Sequence, residues 1–414
     1  MNAAFRGDPP GADGGRDPVP LRAIVRLALF YGIAGFGGGY SVLAQLRRDL
    51  VEERRWIDAD EFLVLAELSK SLPGTPATSL IALIGQRVGG IRGGIVAATA
   101  FLVPSMLLMI ACAAAYSIMR RTPGLAQFFD GMGAAMVGVV AATTVDLART
   151  ALRNRWDVLG ALACAALLSL RFVSEPMIAA AAVAFGVLRS VSKLEVPTRR
   201  DEPPPSERLH AVPPLFIVLL GAGAGALVGL VRVFVPIGVL TFGGGLAMVP
   251  AIEHTVVVEQ HWLDKTTFAD AVALGQITPG PVAICSTFIG YRVGGLLGSF
   301  AATIAMFAPA IALALAVGHS IERFRRSPLV EGALRALAPA VIGMLASATV
   351  SLGRASVGFS SGASLHGLIP AAVATVSFLV LLRFRVSPIW ALLGGGAIQV
   401  ASSLWLGQAV TSLS

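Results

Sequence analysis

One stretch of this chain is written twice. Phe36-Gly37-Gly38-Gly39, Trp56, Phe62 and Pro73-Gly74 return 206 residues later as Phe242-Gly243-Gly244-Gly245, Trp262, Phe268 and Pro279-Gly280. Ile84-Gly85-Gln86-Arg87-Val88-Gly89-Gly90 then returns as Ile289-Gly290-Tyr291-Arg292-Val293-Gly294-Gly295, and Pro104 as Pro309, at an offset of 205. Gly138 with Gly343 and Arg149 with Arg354 keep that register, so the duplication covers most of each half. Two copies of one unit in an apolar chain are the mark of a membrane transporter fold.

The apolarity is decisive: 55% of residues are hydrophobic, 14% are charged and mean hydropathy is +0.77, values that a soluble domain of 414 residues does not reach. The fold class is therefore all-α integral membrane protein. Residues 1–20 are polar and rich in Gly and Pro, without the pattern of a secretory signal, and read as a cytoplasmic tail. Cys112, Cys164 and Cys285 stand singly in apolar stretches, which suits packing and not metal or redox work; neither cofactor nor metal is expected. The net charge of +8 sits at the ends of apolar segments and not in a basic patch with interleaved aromatics, which argues against nucleic-acid binding.

Apolar segments long enough to cross ~30 Å of hydrocarbon fall at 21–46, 66–86, 94–118, 126–148, 157–171 and 175–190. In the second half they fall at 213–230, 231–252, 268–291, 295–318, 332–352, 366–382 and 388–406, the first of which has no counterpart. The expectation is about 13 transmembrane helices. The segments 157–171 and 175–190 are short and flank a turn at Ser174-Glu175-Pro176, which leaves a re-entrant hairpin open there. An odd number of crossings before the second copy makes the two copies inverted homologous repeats, the first over 21–192 and the second over 231–406. A Pro-rich linker over 193–212, an extra helix over 213–230 and a tail over 407–414 complete the division. With the N-terminus cytoplasmic and the C-terminus outside, 21 Lys and Arg fall inside and 10 outside, as the positive-inside rule requires.

Each copy has two places where a membrane helix must break: Gly38 and Gly39, or Gly244 and Gly245, and then Pro73-Gly74 or Pro279-Gly280. Backbone groups freed in lipid need protein, water or a ligand. A helix restarting after Thr75-Pro76 or Pro281 presents unpaired N–H groups and a positive dipole end, suited to an anion. Glycines that merely allow close packing or kinks are the competing reading; the recurrence of both breaks in both halves favours a site.

Lys70 is a basic residue inside an expected span, three residues before Pro73, at an insertion cost of roughly 2.5–3.5 kcal/mol. It is either a counter-charge for an anion or the partner of Glu67 on the same helical face. Its counterpart is the neutral donor Gln276. Arg87 and Arg292 close their spans beside Gly-Gly turns, either as snorkelling anchors or as residues at the two mouths of a pathway. Trp56 and Trp262 read as interfacial anchors, with Asp58 and Asp264 as helix caps. Glu253, His254 and His261 form no metal-spaced set and read as solvated loop residues.

With these motifs in place, the chain resembles the chromate ion transporter family in its long, two-domain form. The resemblance rests on Phe-Gly-Gly-Gly at 36–39 and 242–245, Trp262-Leu263 before Phe268, Gln276-Ile277-Thr278-Pro279-Gly280-Pro281, and Phe288-Ile289-Gly290-Tyr291. In the first copy Thr75 stands where the second has Pro281, which implies divided labour between the copies. The resemblance implies secondary transport of chromate across the cell membrane, usually as efflux that confers resistance, with sulfate as the look-alike oxyanion. Membrane lipid is the other expected partner, and a homodimer is left open. No GxxxxGK[ST] motif supports an internal ATPase. An intramembrane enzyme would need a convergent polar set that the spans lack, and a structural membrane subunit would not need the polar breaks.

Overall fold

The computed structural model describes residues 19–34, 45–72, 74–152, 154–169, 175–191, 224–240, 248–318, 328–356, 365–384 and 386–411. The tail, the linker, Pro73 and both Phe-Gly-Gly-Gly runs, with Gly38, Gly39, Gly244 and Gly245, lie outside them. Every element among the described residues is a helix, as in an all-α membrane protein. In the first copy these are α1 (Leu21–Ala34), a π-helical turn α2 (Arg48–Glu53), α3 (Ala59–Ser71), α4 (Pro76–Arg121), α5 (Pro123–Ala151), α6 (Arg155–Ser169) and α7 (Glu175–Val191). The second copy supplies α8 (Ala224–Leu240), α9 (Val249–Glu253), running into a π-helical turn His254–Glu259, α10 (Lys265–Ile277), α11 (Cys285–Gly318), α12 (Pro328–Ser356), α13 (Leu365–Phe384) and α14 (Pro388–Thr411). Leu107, Ile118, Leu379 and Ile398 remain exposed, as side chains that face lipid do.

The duplication is repeated in the backbone. Asp58 and Asp264 cap α3 and α10 by accepting from the N–H of Glu61 and Thr267, each at 2.8 Å. Burial opposes ionisation of Asp264, but the N–H and hydroxyl of Thr267 outweigh it and hold the carboxyl below its usual range. That cap is therefore present above the ordinary Asp range and is lost as pH falls through the depressed value. Arg55 and His261 share a left-handed conformation at φ 55° and 53°. Phe62 and Phe268, one turn into the capped helices, are both fully buried.

The expected crossings at 66–86 and 268–291 are not continuous helices. Helix α3 stops at Leu72 and α4 restarts at Pro76; α10 stops at Thr278 and helix resumes after Pro281. A helix of 13 residues such as α3 or α10 spans only about 20 Å, short of the hydrocarbon thickness. The two limbs fold back on each other. Arg87, near the end of the second limb, pairs with Glu61 at the start of α3, so the limbs are antiparallel and share one open end. In the second copy a methyl on Gly275 would meet Val282 and Cys285 across the break. Hydropathy does not distinguish such a hairpin from a crossing, because both are apolar along their length.

The chain then reverses at Gly89-Gly90 and Gly294-Gly295. Gly90 and Gly295 sit at φ 67° and 60°, open to glycine at no steric cost. The reversal lays 91–121 against 76–88 so closely that a methyl on Gly85 would strike the carbonyl of Gly93, and one on Gly290 the carbonyl of Gly298. Helix α1 lies along 91–121 in parallel, with Ile24 beside Gly89 and Gly93 and Gly32 against Phe101 and Pro104. Helix α8 does the same, with Gly238 against Met306.

The two copies are interlocked. Helix α5 of the first packs on α13 and α14 of the second, while α12 of the second packs on α6 and α7 of the first. Glycines make the exchange possible: Gly138 lies against the backbone at Ala374 and Phe378, and its counterpart Gly343 against Ala161 and Ala165. Helices α6 and α7, the short segments of the sequence, thus each find a partner helix in the other copy.

Candidate substrate site

The breaks at the hairpin tips meet the middle of the long helices of the opposite copy. A methyl on Gly74 would land on Ala310, and one on Gly280 would land on Ser105. Position 105 in the first copy corresponds to 310 in the second, so the two contacts are reciprocal. Both glycines need their conformation as well as the space, at φ 96° and 110°. Ser105 also donates to the carbonyl of Pro279 at 2.5 Å, which ties the second tip to α4.

Around the tips the protein buries hydroxyls. Ser69, Thr75, Thr78 and Ser79 belong to the first hairpin, and Thr278, Ser286 and Thr287 to the second; all are buried. Most are satisfied locally: Thr278 donates to Leu274 O at 2.6 Å, and the hydroxyls of Thr287 and Thr303 lie 2.7 Å apart. Thr75 occupies the N-cap position of α4 but donates to Thr78 Oγ1 at 2.8 Å and makes no cap to the first turn. Pro281 likewise gives no side-chain cap to the turn it precedes. No side chain among the described residues caps the helix starts after Pro76 and Pro281, whose positive ends suit an anion. Two buried donors near the second tip, Gln276 Nε2 and Ser286 Oγ, have no hydrogen-bond partner among the described residues. Such donors are costly unless something accepts from them.

The remaining candidates separate. Lys70 stands in the last turn of α3 on the approach to the first tip; its side chain lies outside the described residues. Arg87 and Arg292 lie far from the tips, at the open ends of their hairpins. Arg87 is paired with Glu61, and the guanidinium of Arg292 stands 5.7 Å from the Tyr116 ring. Glu253 is a correction. It is not a solvated loop residue but 4% exposed, accepting from Ser351 at 2.5 Å, because α9 continues into its π-helical turn against α12. His254 pairs with Glu259 at 3.2 Å, and His261 is exposed with Nδ1 3.1 Å from Val257 O. No set of three or more metal-ligating side chains occurs among the described residues.

Sequence reasoning missed a polar cluster. Arg120 of α4 reaches Asp270 of α10 at 2.6 Å and Asp130 of α5 at 2.6 Å, while the Tyr116 hydroxyl donates to Asp270 at 2.5 Å. Asp270, the one acidic residue in the expected span 268–291, was the available signal.

Fold and site together define an all-helical membrane protein built from two copies of one unit, each with a broken hairpin aimed at the other copy. The sequence model of the chromate transporter family matches residues 23–187 and 228–400, and the chain belongs to that family. It is 31% identical to a chromate transport protein of Cupriavidus metallidurans over 88% of each chain. It is 30% identical to a probable chromate transport protein of Synechococcus elongatus, over 81% of this chain and 86% of that one. An uncharacterized transporter of Bacillus subtilis, 30% identical, matches over 38% of this chain but 89% of its own length, so it has the size of one copy. No solved structure matches the chain.

Proposed function

We propose that this protein is a secondary transporter that moves chromate outward across the cell membrane, holding the oxyanion at the two hairpin tips. The observation that carries this is the reciprocal seating of Gly74 on Ala310 and of Gly280 on Ser105, which puts two uncapped helix starts at the middle of long apolar helices. Charged groups of a transported anion are met in this way in broken-helix transporters. The donors Gln276 and Ser286, and Lys70 from the first copy, complete a binding set for a tetrahedral oxyanion. The chromate transport proteins among the relatives support chromate as the ion.

The two copies are inverted. What supports this is the antiparallel register of 91–121 and 295–318. Gln86, at the open end of the first hairpin, donates to Leu315 O at 2.8 Å near the end of α11, whereas Thr267 and Arg292, at the open end of the second, stand beside Tyr116 near the end of α4. The open ends therefore lie at opposite ends of the pair. Helix α1 also reaches only to the level of Pro104, and the chain is back beside it at Gln45 and Asp49, which the Tyr31 hydroxyl bonds at 3.2 Å each. Reading both hairpins of each copy as re-entrant removes two crossings per half and leaves four in each, so the odd count before the second copy rests on the extra helix, whose expected start at 213 lies outside the described residues. It moves Arg47, Arg48, Arg54 and Arg55 to the cytoplasmic face and only Lys265 to the outer one, which strengthens the positive-inside bias.

Direction follows from charge. A dianion leaving a negative interior gains roughly 4.6 kcal/mol per 100 mV, enough for about a thousandfold gradient. In proteoliposomes loaded with labelled chromate, an interior-negative potassium potential is expected to raise efflux, with sulfate as a competitor of the same geometry. Flux that neither exceeds that of protein-free vesicles nor responds to the potential would remove the proposal.

A further inference from the structure

Near its open end the hairpin of the second copy has a charged tie to the first copy. Asp270, 1% exposed, accepts from Arg120 Nε at 2.8 Å and from the Tyr116 hydroxyl at 2.5 Å, with Arg120 Nη2 paired to it at 2.6 Å. Arg120 is held from its other side by Asp130 at 2.6 Å and by the Ala126 carbonyl at 3.3 Å, and its guanidinium lies 5.6 Å from the Phe129 ring. The Tyr116 ring packs edge-on to Phe288, in the return limb of the same hairpin. The cluster thus joins α4 and α5 of the first copy to both limbs of the second hairpin. At the positions that correspond to Asp270, Tyr116 and Asp130 the sequence has Val64, Ile321 and Arg335. The first hairpin has no carboxylate there to bind an arginine from the other copy.

We infer that Asp270 is a positioning residue that latches the second hairpin onto α4 through Arg120, and that release of this latch opens the tip to the face at which the hairpin's open end lies. The geometry fits a latch better than a binding site. Arg120 is committed to two carboxylates, so an incoming dianion would meet a cation already neutralised beside two like charges. Asp270 sits between the open end and the tip, where a lost bond frees the hairpin without touching the residues at the break. The tip itself is held to the same helix by the Ser105 bond to Pro279, so the hairpin has one tie at each end. Among the described residues, the open end of the first hairpin meets the other copy through Gln86, which donates to Leu315 O. This inference rests on the transporter reading above, but its test does not use transport.

Cys285 is the reporter. It is fully buried in the hairpin just behind Pro281, and with Cys112 and Cys164 replaced by serine it is the single thiol of the chain. In the reconstituted protein, Asp270→Asn is expected to raise the rate at which a membrane-impermeant methanethiosulfonate reaches Cys285 at least tenfold. The increase is expected from the face of the second hairpin's open end and not from the opposite face. Asp270→Glu, which keeps the charge, and Asp130→Asn, which leaves the Arg120–Asp270 pair in place, should stay within about twofold of the parent. Tyr116→Phe removes one hydroxyl bond and no charge, and should give about a threefold increase; it serves if Asp270→Asn does not fold. Unchanged protection of Cys285 in folded Asp270→Asn, or in Tyr116→Phe where the former fails to fold, overturns the latch. An equal increase from both faces, or an increase in Asp130→Asn as large as in Asp270→Asn, shows general loosening and overturns it too. A latch that fails this test while potential-driven chromate flux persists leaves the transporter reading standing.

Discussion

Gly280→Ala is expected to lower chromate flux per folded protein by about a hundredfold, the equivalent of ~2.7 kcal/mol. Two costs combine. At φ 110° a side chain is held in a conformation that only glycine adopts freely, worth about 1–3 kcal/mol. The added methyl also lands on Ser105, whose hydroxyl fixes Pro279, and overpacking at such a contact costs about 1–3 kcal/mol more. The tip has to move, and the N–H groups it presents move with it. Gly90→Ala separates the two causes: φ is 67° there but nothing lies within 4 Å of the new methyl, so only the smaller conformational cost of about 1–2 kcal/mol applies. Adding Ser105→Gly to Gly280→Ala should recover part of the flux by removing the contact while leaving the strain. Flux assays on matched amounts of monodisperse protein check all three, and native flux in Gly280→Ala would show that the second tip does not hold substrate.

The second large effect is expected at position 276. Gln276 Nε2 is buried without an acceptor among the described residues, two residues before the break, and its counterpart in the first copy is Lys70. Gln276→Glu changes the shape little but sets a carboxylate against a dianion, so a loss of about a hundredfold or more is expected from like-charge repulsion in a poorly hydrated site. Gln276→Leu removes the donor alone and should cost about tenfold, as one lost bond to a charged group does. Lys70→Gln, which copies the second half into the first, should weaken transport by more than tenfold, whereas Glu67→Gln should leave it largely intact. If Lys70 and Glu67 were a structural pair, both single variants would instead reduce folded protein alike. Concentration dependence of flux resolves these variants, and equal activity of Gln276→Glu and Gln276→Leu would show that no anion approaches that side chain.

The breaks were legible in the sequence because they are made by backbone chemistry: Pro-Gly at 73 and 279 ends a helix whatever surrounds it. The caps at Asp58 and Asp264 were legible for the same reason, since a cap is set within three residues. Re-entrance was not legible. A continuous apolar run from 66 to 86 is compatible with a crossing, and only contacts distant in sequence, such as Glu61 with Arg87 across the hairpin, show that it folds back. Charged residues at Asp60 and Glu61 also displaced the expected start of the span from the true start of α3 at Ala59. The exchange of α5 and α12 between the copies depends on glycine contacts far apart in the chain, such as Gly138 with Ala374 and Gly343 with Ala161. Arg120 and Asp270 lie 150 residues apart in the chain, and only packing brings them together. Glu253 failed in the opposite sense: His254 and Thr255 follow it as in a polar loop, yet the fold buries it against Ser351.

The central claim is that two hairpins of opposite orientation meet at mid-membrane, and single-cysteine labelling tests it most directly. Arg92 and Leu297 are counterparts in the two copies, exposed beside the Gly90 and Gly295 turns at the open ends of the hairpins. In a background without Cys112, Cys164 and Cys285, Arg92→Cys is expected to react with an impermeant maleimide only from the cytoplasmic face, and Leu297→Cys only from the outer face. Reaction of both from the same face would place the two copies in one orientation and contradict the account.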